Sequence, residues 1–377
     1  MIIMTVKDKV TKWFIQKVIV PRNELIDNPG FIATQFTEKK QSVFLREMIV
    51  PESVFISLEK MISEKYGKKG RQVLYSAGKK FTYHYAYKSL FPSIKTASKK
   101  DVEKFLYNFV RYAEATSYGR MEYTIDIEKK KAHLSLKDYM VCPHNGLGYI
   151  FSWGSMAGLW AYLMSSPSLE GVQIKCQGQG YENCEVFCAP PKELEKMNLI
   201  FYKEPCVKEW PHDQYNTINR IRKTEFAKTS FKQLIDSSYF SYKNGVVERK
   251  KQRYFITEAS FLYILEKELK KLNGANKILF NLSFEAGKKL AEDEKDPQGL
   301  ITDIISSFGF GDVLMLKSKK YSVTSRFYPW SHLSSSSPYS FYSGFLSGIL
   351  SQSTGKKVIL KRANKSITDS MTLTVSE

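Results

Sequence analysis

An α+β fold in two tandem repeats is what the 377 residues predict, each repeat an antiparallel sheet packed with helices and the pair arranged as an intramolecular pseudo-dimer. Three observations carry the expectation. Residues 151–160 and 341–350 both read Phe-x-x-Gly-x-x-x-Gly followed by two large apolar residues, aligning Gly154 with Gly344 and Gly158 with Gly348 without a gap. Upstream, Ser53, Leu58, Glu59 and Lys60 match Ser260, Leu265, Glu266 and Lys267, and Ala77-Gly78-Lys79-Lys80 matches Ala286-Gly287-Lys288-Lys289. Between these landmarks the helices are grouped between strand hairpins, which favours an α+β layer over alternating βαβ units.

In order along the chain, residues 1–30 form an N-terminal segment. Val6, Val10, Trp13, Phe14 and Val18 space it as an amphipathic helix. Asn28-Pro29-Gly30 punctuates it. The first domain is expected over 31–190. It opens with two strands over 31–50 and a helix carrying Phe55, Leu58 and Ile62 on one face, stopped at 67–70 by two glycines. A second helix over 72–89 and a third over 100–117 follow. Residues 121–127 and 131–136 alternate as a hairpin turning at 128–130. After the glycine helix, strands at 172–176 and 184–188 close the unit around Gly178 and Gly180. Residues 191–230 form a charged connector with helix expected at 213–230. The second domain, 231–377, repeats the plan: strands over 239–256 around 243–245, a helix from Ser260, a break at Gly274, a helix carrying Gly287, and a third over 300–308. Strands at 312–316 and 321–327, the partner glycine helix and strands at 358–361 and 371–375 complete it.

Small residues four apart lie on one helix face and let another backbone approach, so Gly154, Gly158, Gly344 and Gly348 are read as repeat-core packing positions. The composition is 43% hydrophobic and 14% aromatic, enough for sizeable cores. No apolar run reaches the roughly 18 residues that a membrane span needs. Four of the five cysteines fall between Cys142 and Cys188, unlike a disulfide-stapled scaffold, and the expected setting is cytoplasmic with reduced thiols.

The order of hairpin, Gly-x-x-x-Gly helix, strand with cysteine, glycine turn and second cysteine, here Gly154, Gly158, Cys176, Gly180 and Cys184, resembles the 4-vinyl reductase domain family. Ala77-Gly78 resembles that family's upstream helix motif. The likeness covers most of 31–190 and, more weakly, 238–377, where no cysteine occurs. It implies a fold related to subunits of the transport protein particle (TRAPP) tethering complex. It also implies a role in binding small molecules or in pairing, as in sensor modules of aromatic-responsive activators. In those sensors zinc is held by an upstream Cys, a Glu three residues before the next Cys, and a Cys eight residues on. Cys176 and Cys184 keep the eight-residue spacing, whereas Gln173 stands at the Glu position and Tyr149 near the upstream Cys. A shifted set drawn from Cys142, His144, Cys176, Cys184 and Cys188 is the candidate zinc site, confined to the first domain.

Hydride transfer needs a cofactor cradle, and the nearest fragment, Gly309-Phe310-Gly311, precedes a strand rather than a helix. Neither a P-loop nor paired HExxH histidines nor a nucleophile elbow is present. A non-enzymatic protein is therefore expected. The net charge of +19 and pI near 9.4 call for an acidic partner. The candidate contacts to nucleic acid or an acidic protein are Lys68, Lys69, Arg71, Lys79, Lys80, Arg220, Arg222, Arg249, Lys250, Lys251, Arg253, Lys356, Lys357, Lys361 and Arg362, several beside aromatics that would stack on single strands. The leading expectation is a basic scaffold subunit that binds a protein partner within a nucleoprotein complex. A sensor of a small hydrophobic ligand, with its pocket between glycine helix and sheet, is the alternative, and a reductase the second alternative.

Overall fold

The structure, a computed structural model, describes residues 25–38, 41–116, 120–137, 150–204, 224–243, 246–294, 296–317, 320–331, 339–363 and 370–375. In chain order its elements are β1 (Leu25–Asn28), β2 (Phe31–Glu38), β3 (Gln41–Pro51), α1 (Glu52–Lys88), α2 (Lys99–Thr116), β4 (Arg120–Asp126), β5 (Lys131–Lys137), α3 (Ile150–Leu163), β6 (Glu170–Lys175) and β7 (Cys184–Ala189). There follow β8 (Ser241–Lys243), β9 (Val246–Arg249), β10 (Gln252–Glu258), α4 (Ser260–Leu269), α5 (Ala275–Leu290), the π-helical α6 (Leu300–Phe310), β11 (Asp312–Lys317), β12 (Tyr321–Arg326), α7 (Ser340–Thr354), β13 (Leu360–Arg362) and β14 (Ser370–Val375). The fold is mixed α+β with antiparallel sheets. No described helix is long and apolar enough to cross a membrane.

The described chain falls into two compact units. The first lies within Glu59–Trp210 and Tyr242–Val246; the second lies within Leu25–Leu58, Pro211–Ser241 and Val247–Glu377. This division differs from the sequence-based boundaries. Residues 31–58, expected in the first domain, lie in the second unit, because β3 pairs antiparallel with β10 from Glu47↔Glu258 to Pro51↔Tyr254. Phe55, just inside α1, packs there at 5.3 Å from Phe255 and 5.2 Å from Phe261. Residues 25–28, assigned to an N-terminal helix, instead form β1 and pair with β2 across the turn at Gly30. The expected helix at 5–20 lies outside the described residues. Of the connector helix expected at 213–230, residues 213–223 lie outside the described residues and 224–230 is not helical.

In the first unit the sheet order is β4-β5-β7-β6. α3 links its two hairpins, burying Phe151, Gly154, Ala157, Gly158 and Trp160. α1 breaks where the sequence places the stop: Gly67 adopts φ 54°, ψ −134°, which side chains rarely tolerate. In the second unit the smaller sheet runs β11-β12-β14-β13, with α7 between its hairpins. Gly274, at φ +81°, separates α4 from α5 as Gly67 divides α1. The larger sheet brings β1, β2, β3, β10 and β9 side by side. Its β9–β10 turn uses Lys250 and Lys251 at φ 50° and 60°. Lysine advertises no such conformation, so only the turn at 243–245 was expected.

Candidate functional site

Both units share one device at the start of the glycine helix. In the second, the buried Glu266 accepts the Phe341 amide at 2.9 Å. In the first, the matching Glu59 accepts the Ile150 amide with Oε1. A carboxylate there satisfies helix-terminal N–H groups that would otherwise be buried unpaired. Burial pushes the Glu59 pKa well above the usual carboxylate value, against the pull of the Ile150 and Phe151 amides. These residues were visible in the sequence as a repeated Leu-Glu-Lys, though no function was attached to them.

The four glycines lie against the backbone of a neighbouring helix. A Cβ on Gly154 would lie 2.1 Å from the Tyr75 carbonyl oxygen, and one on Gly158 2.2 Å from that of Lys79. In the second unit a Cβ on Gly344 would meet Phe280 O at 2.4 Å and one on Gly348 would meet Phe284 O at 1.9 Å. The pairing differs from the sequence alignment in one respect. Tyr75 precedes Gly78, and Phe284 precedes Gly287, by the same three residues, so Gly154 and Gly348 occupy matching steps. The helix pair in the second unit is slipped by about one turn.

The second unit gathers a buried aromatic cluster. Phe310, Tyr328, Trp330, Tyr339, Phe341 and Tyr342 are each at most 1% exposed. Tyr328 lies 4.7 Å from Trp330, edge to face, and 4.9 Å from Tyr342, which also stacks on Phe310 at 4.9 Å. Tyr342 shares a 2.6 Å hydrogen bond with Ser325. Tyr328 Oη and Trp330 Nε1, by contrast, are buried without a hydrogen-bond partner among the described residues. Burial and then the neighbouring Glu266 push the Tyr328 hydroxyl well above its usual pKa, so it stays protonated. Beneath Gly309, the fully buried Arg46 donates to the Gly309 carbonyl at 2.9 Å and to that of Phe327. Burial lowers its pKa to about 9, which leaves it charged at neutral pH. Sequence reading missed Arg46, Tyr328 and Trp330; the Tyr-Pro-Trp at 328–330 was their only signal.

A shallow groove of ≈ 490 Å³ elsewhere in this unit is lined by Thr229, Gln233, Asp296 and Asp303, among others. Leu234, Leu300 and Ile304 add apolar wall to it, and none of its lining residues belongs to the glycine helix or to β11–β14.

In the first unit Cys176 and Cys184 come together, Sγ to Sγ 3.9 Å. Cys188 does not join them. It sits four residues along the same strand from Cys184, about 13 Å away by strand geometry. There it packs beneath Gly171, and burial pushes its thiol up to about 12. Cys142 and His144 lie outside the described residues. Gln173 accepts the Trp153 indole N–H at 2.7 Å. Among the described residues no group of three or more His, Cys, Asp or Glu side chains is placed to hold a metal ion; of the three described candidate donors, Cys176 and Cys184 converge.

Several candidate cations are bound within the fold. Lys79, 0% exposed, pairs with Glu170 at 2.8 Å and donates to the Glu204 carbonyl at 2.7 Å. Tyr75 donates to the same Glu170 oxygen at 2.6 Å. Lys80 pairs with Glu204 at 2.8 Å, Arg249 with Glu294 at 2.5 Å, Lys250 with Asp293, and Arg253 with Glu52 at 3.0 Å. Arg71 is hydrogen-bonded to Tyr202, and Arg362 lies 4.9 Å over the Tyr339 ring. Lys79 and Lys80 are therefore interior residues, not surface contacts, because Glu170 and Glu204 draw them inward. Lys68, Lys69, Lys251, Lys356, Lys357 and Lys361 are exposed; Arg220 and Arg222 lie outside the described residues. Replacing Lys79 by Met should cost about 3 kcal/mol by stranding Glu170, with partial recovery in K79M/E170Q, read from denaturant unfolding.

No protein-family model matches the chain, and no curated protein matches it. Among solved structures, the crystal structure of the phenol-responsive sensory domain of the transcription activator PoxR with phenol is similar at 12% identity. That alignment covers 52% of this chain and 95% of the other, with a TM-score of 0.31.

Proposed function

We propose that this chain is a non-enzymatic, ligand-responsive regulatory protein built from two 4-vinyl-reductase-like copies. In this reading its second unit holds a small aromatic molecule bearing a hydrogen-bond acceptor. The observation that carries it is that Tyr328 Oη and Trp330 Nε1 have no hydrogen-bond partner among the described residues, inside an aromatic cluster at most 1% exposed. Buried polar groups are nearly always paired, so two such donors that lack a partner among the described residues support an acceptor beside them. Aromatic walls select a flat apolar body, and the indole N–H and phenol O–H select an acceptor on it.

The duplication has separate support: the matched sheet orders, the paired Glu59 and Glu266 caps and the two close-packed glycine helices. The pseudo-dimer is part of the proposal.

Native mass spectrometry of the purified chain should show a retained small molecule, or uptake from a panel of phenols and aryl ketones. Trp330→Phe keeps the ring and deletes the donor, and should weaken binding about tenfold. Stoichiometric uptake unchanged by Trp330→Phe, which would place the ligand away from this indole, or no uptake across the panel, would sink the reading.

The exposed lysines Lys68, Lys69, Lys251, Lys356, Lys357 and Lys361 support a second reading, an interaction platform for an acidic protein or nucleic acid. Polyanion retention that falls steeply with salt is its expected signature; absence of retention at low salt removes it.

A further inference from the structure

We propose that Cys176 and Cys184 form a reversible dithiol that a hydroperoxide converts into an intramolecular disulfide. The two sulfurs lie 3.9 Å apart at the facing ends of β6 and β7. Closing that gap to the bond length of about 2 Å asks for side-chain rotation within one hairpin. The connecting turn is a single 3₁₀ turn, Gln177–Gln179, followed by Gly180 at φ 90°. Both sulfurs are buried while Tyr181, just after the turn, is half exposed, so a small oxidant reaches them through a local opening of this turn.

The sulfurs are not equivalent. The Gln177 backbone N–H donates to Cys184 Sγ at 3.3 Å. That amide holds Cys184 Sγ against the turn, with Cys176 Sγ beside it, and Cys184 is taken as the attacking residue. Its thiolate attacks one peroxide oxygen. An S–O bond forms, the O–O bond breaks, and the departing oxygen leaves as water or an alcohol after taking a proton. Cys176 sulfur then attacks the sulfenic sulfur. The S–S bond forms, the S–O bond breaks, and hydroxide leaves as water with the Cys176 proton. Two electrons pass from the sulfurs to the peroxide, and a dithiol reductant restores both thiols. Cys188, about 13 Å along β7 from Cys184, lies out of reach of the pair.

The test treats the folded full chain with hydrogen peroxide, blocks remaining thiols, and maps peptides. A Cys176–Cys184 cross-link lacking two hydrogens, reversed by dithiothreitol, is expected. Cys188→Ser should leave its yield unchanged. Cys176→Ser should abolish it and leave a sulfenic acid at Cys184 that dimedone captures, a readout that does not depend on how Cys184→Ser folds. Cross-links running to Cys142 or Cys206 instead, or both thiols surviving peroxide intact, would overturn the proposal. So would the absence of dimedone capture at Cys184 in Cys176→Ser.

Discussion

Replacing Gly348 by alanine should destabilise the protein by about 3–5 kcal/mol, among the largest effects of any single methyl group in this chain. Its Cβ would lie 1.9 Å from the Phe284 carbonyl oxygen, 2.8 Å from the carbon of that carbonyl and 2.9 Å from the Lys288 amide nitrogen. All three are backbone atoms of α5, so no side chain can rotate away. The helices must separate by more than about 1 Å, loosening the packing on both sides. Gly154→Ala tests the same contact in the first unit, where the Tyr75 oxygen lies at 2.1 Å. Gly355 is the control. It sits at φ +66° with nothing within 4 Å of a built Cβ, so alanine there should cost only about 1–2 kcal/mol of backbone strain. Denaturant midpoints of the three variants decide the matter. Equal losses at Gly348 and Gly355 would show that conformation, not close approach, explains these glycines.

The same glycines show what could be read without coordinates. Local signals were legible: the helix break at Gly67, the corresponding break at Gly274, and the hairpin that pairs Met121 with Leu136. Each depends on residues close in sequence whose chemistry has few structural meanings. The repeat also located Glu59 and Glu266, though nothing local says that a carboxylate before a Lys will cap a helix some 75 residues or more further on. The strand exchange was not legible. β3 pairs with β10 across roughly 200 residues of chain, and either hairpin reads the same whichever unit receives it. Lys79 and Lys80 were misread for a related reason. In isolation two lysines after a glycine describe a solvated helix face; only Glu170 and Glu204, brought from distant segments, turn them inward. The candidate ligand site was hidden because Tyr328 and Trp330 become informative only once their polar atoms are seen to be buried and without a partner among the described residues.

A buried carboxylate pair gives the second large effect and fixes its direction with pH. Glu47 on β3 stands directly opposite Glu258 on β10, and both are buried. Thr34 donates to Glu47 at 3.2 Å, while Glu258 accepts the Ser260 amide at 3.1 Å and its hydroxyl. Burial, and then the charge of Glu258, raise the Glu47 pKa from 4.5 to about 8; the Thr34 bond opposes them weakly. The folded state therefore keeps a proton that the unfolded chain releases. Stability from this group is fully present below pH 4.5 and is lost as pH rises through about 8. Each unit within that window is worth about 1.4 kcal/mol at most. Glu52, raised to about 7 by burial against the pull of Arg253, adds a slope of the same sign. Glu47→Gln keeps an oxygen for Thr34 and presents an amide N–H₂ towards Glu258, removing the repulsion at little change in volume. At pH 8 it should be more stable than the wild type by about 2–4 kcal/mol, and near pH 4 the two should converge. Unfolding free energies measured from pH 4 to 8 provide the comparison. A wild-type curve that rises with pH across this window, or a Gln variant running parallel to it, would mean that Glu47 is ionised in the folded protein and held by a cation not yet identified.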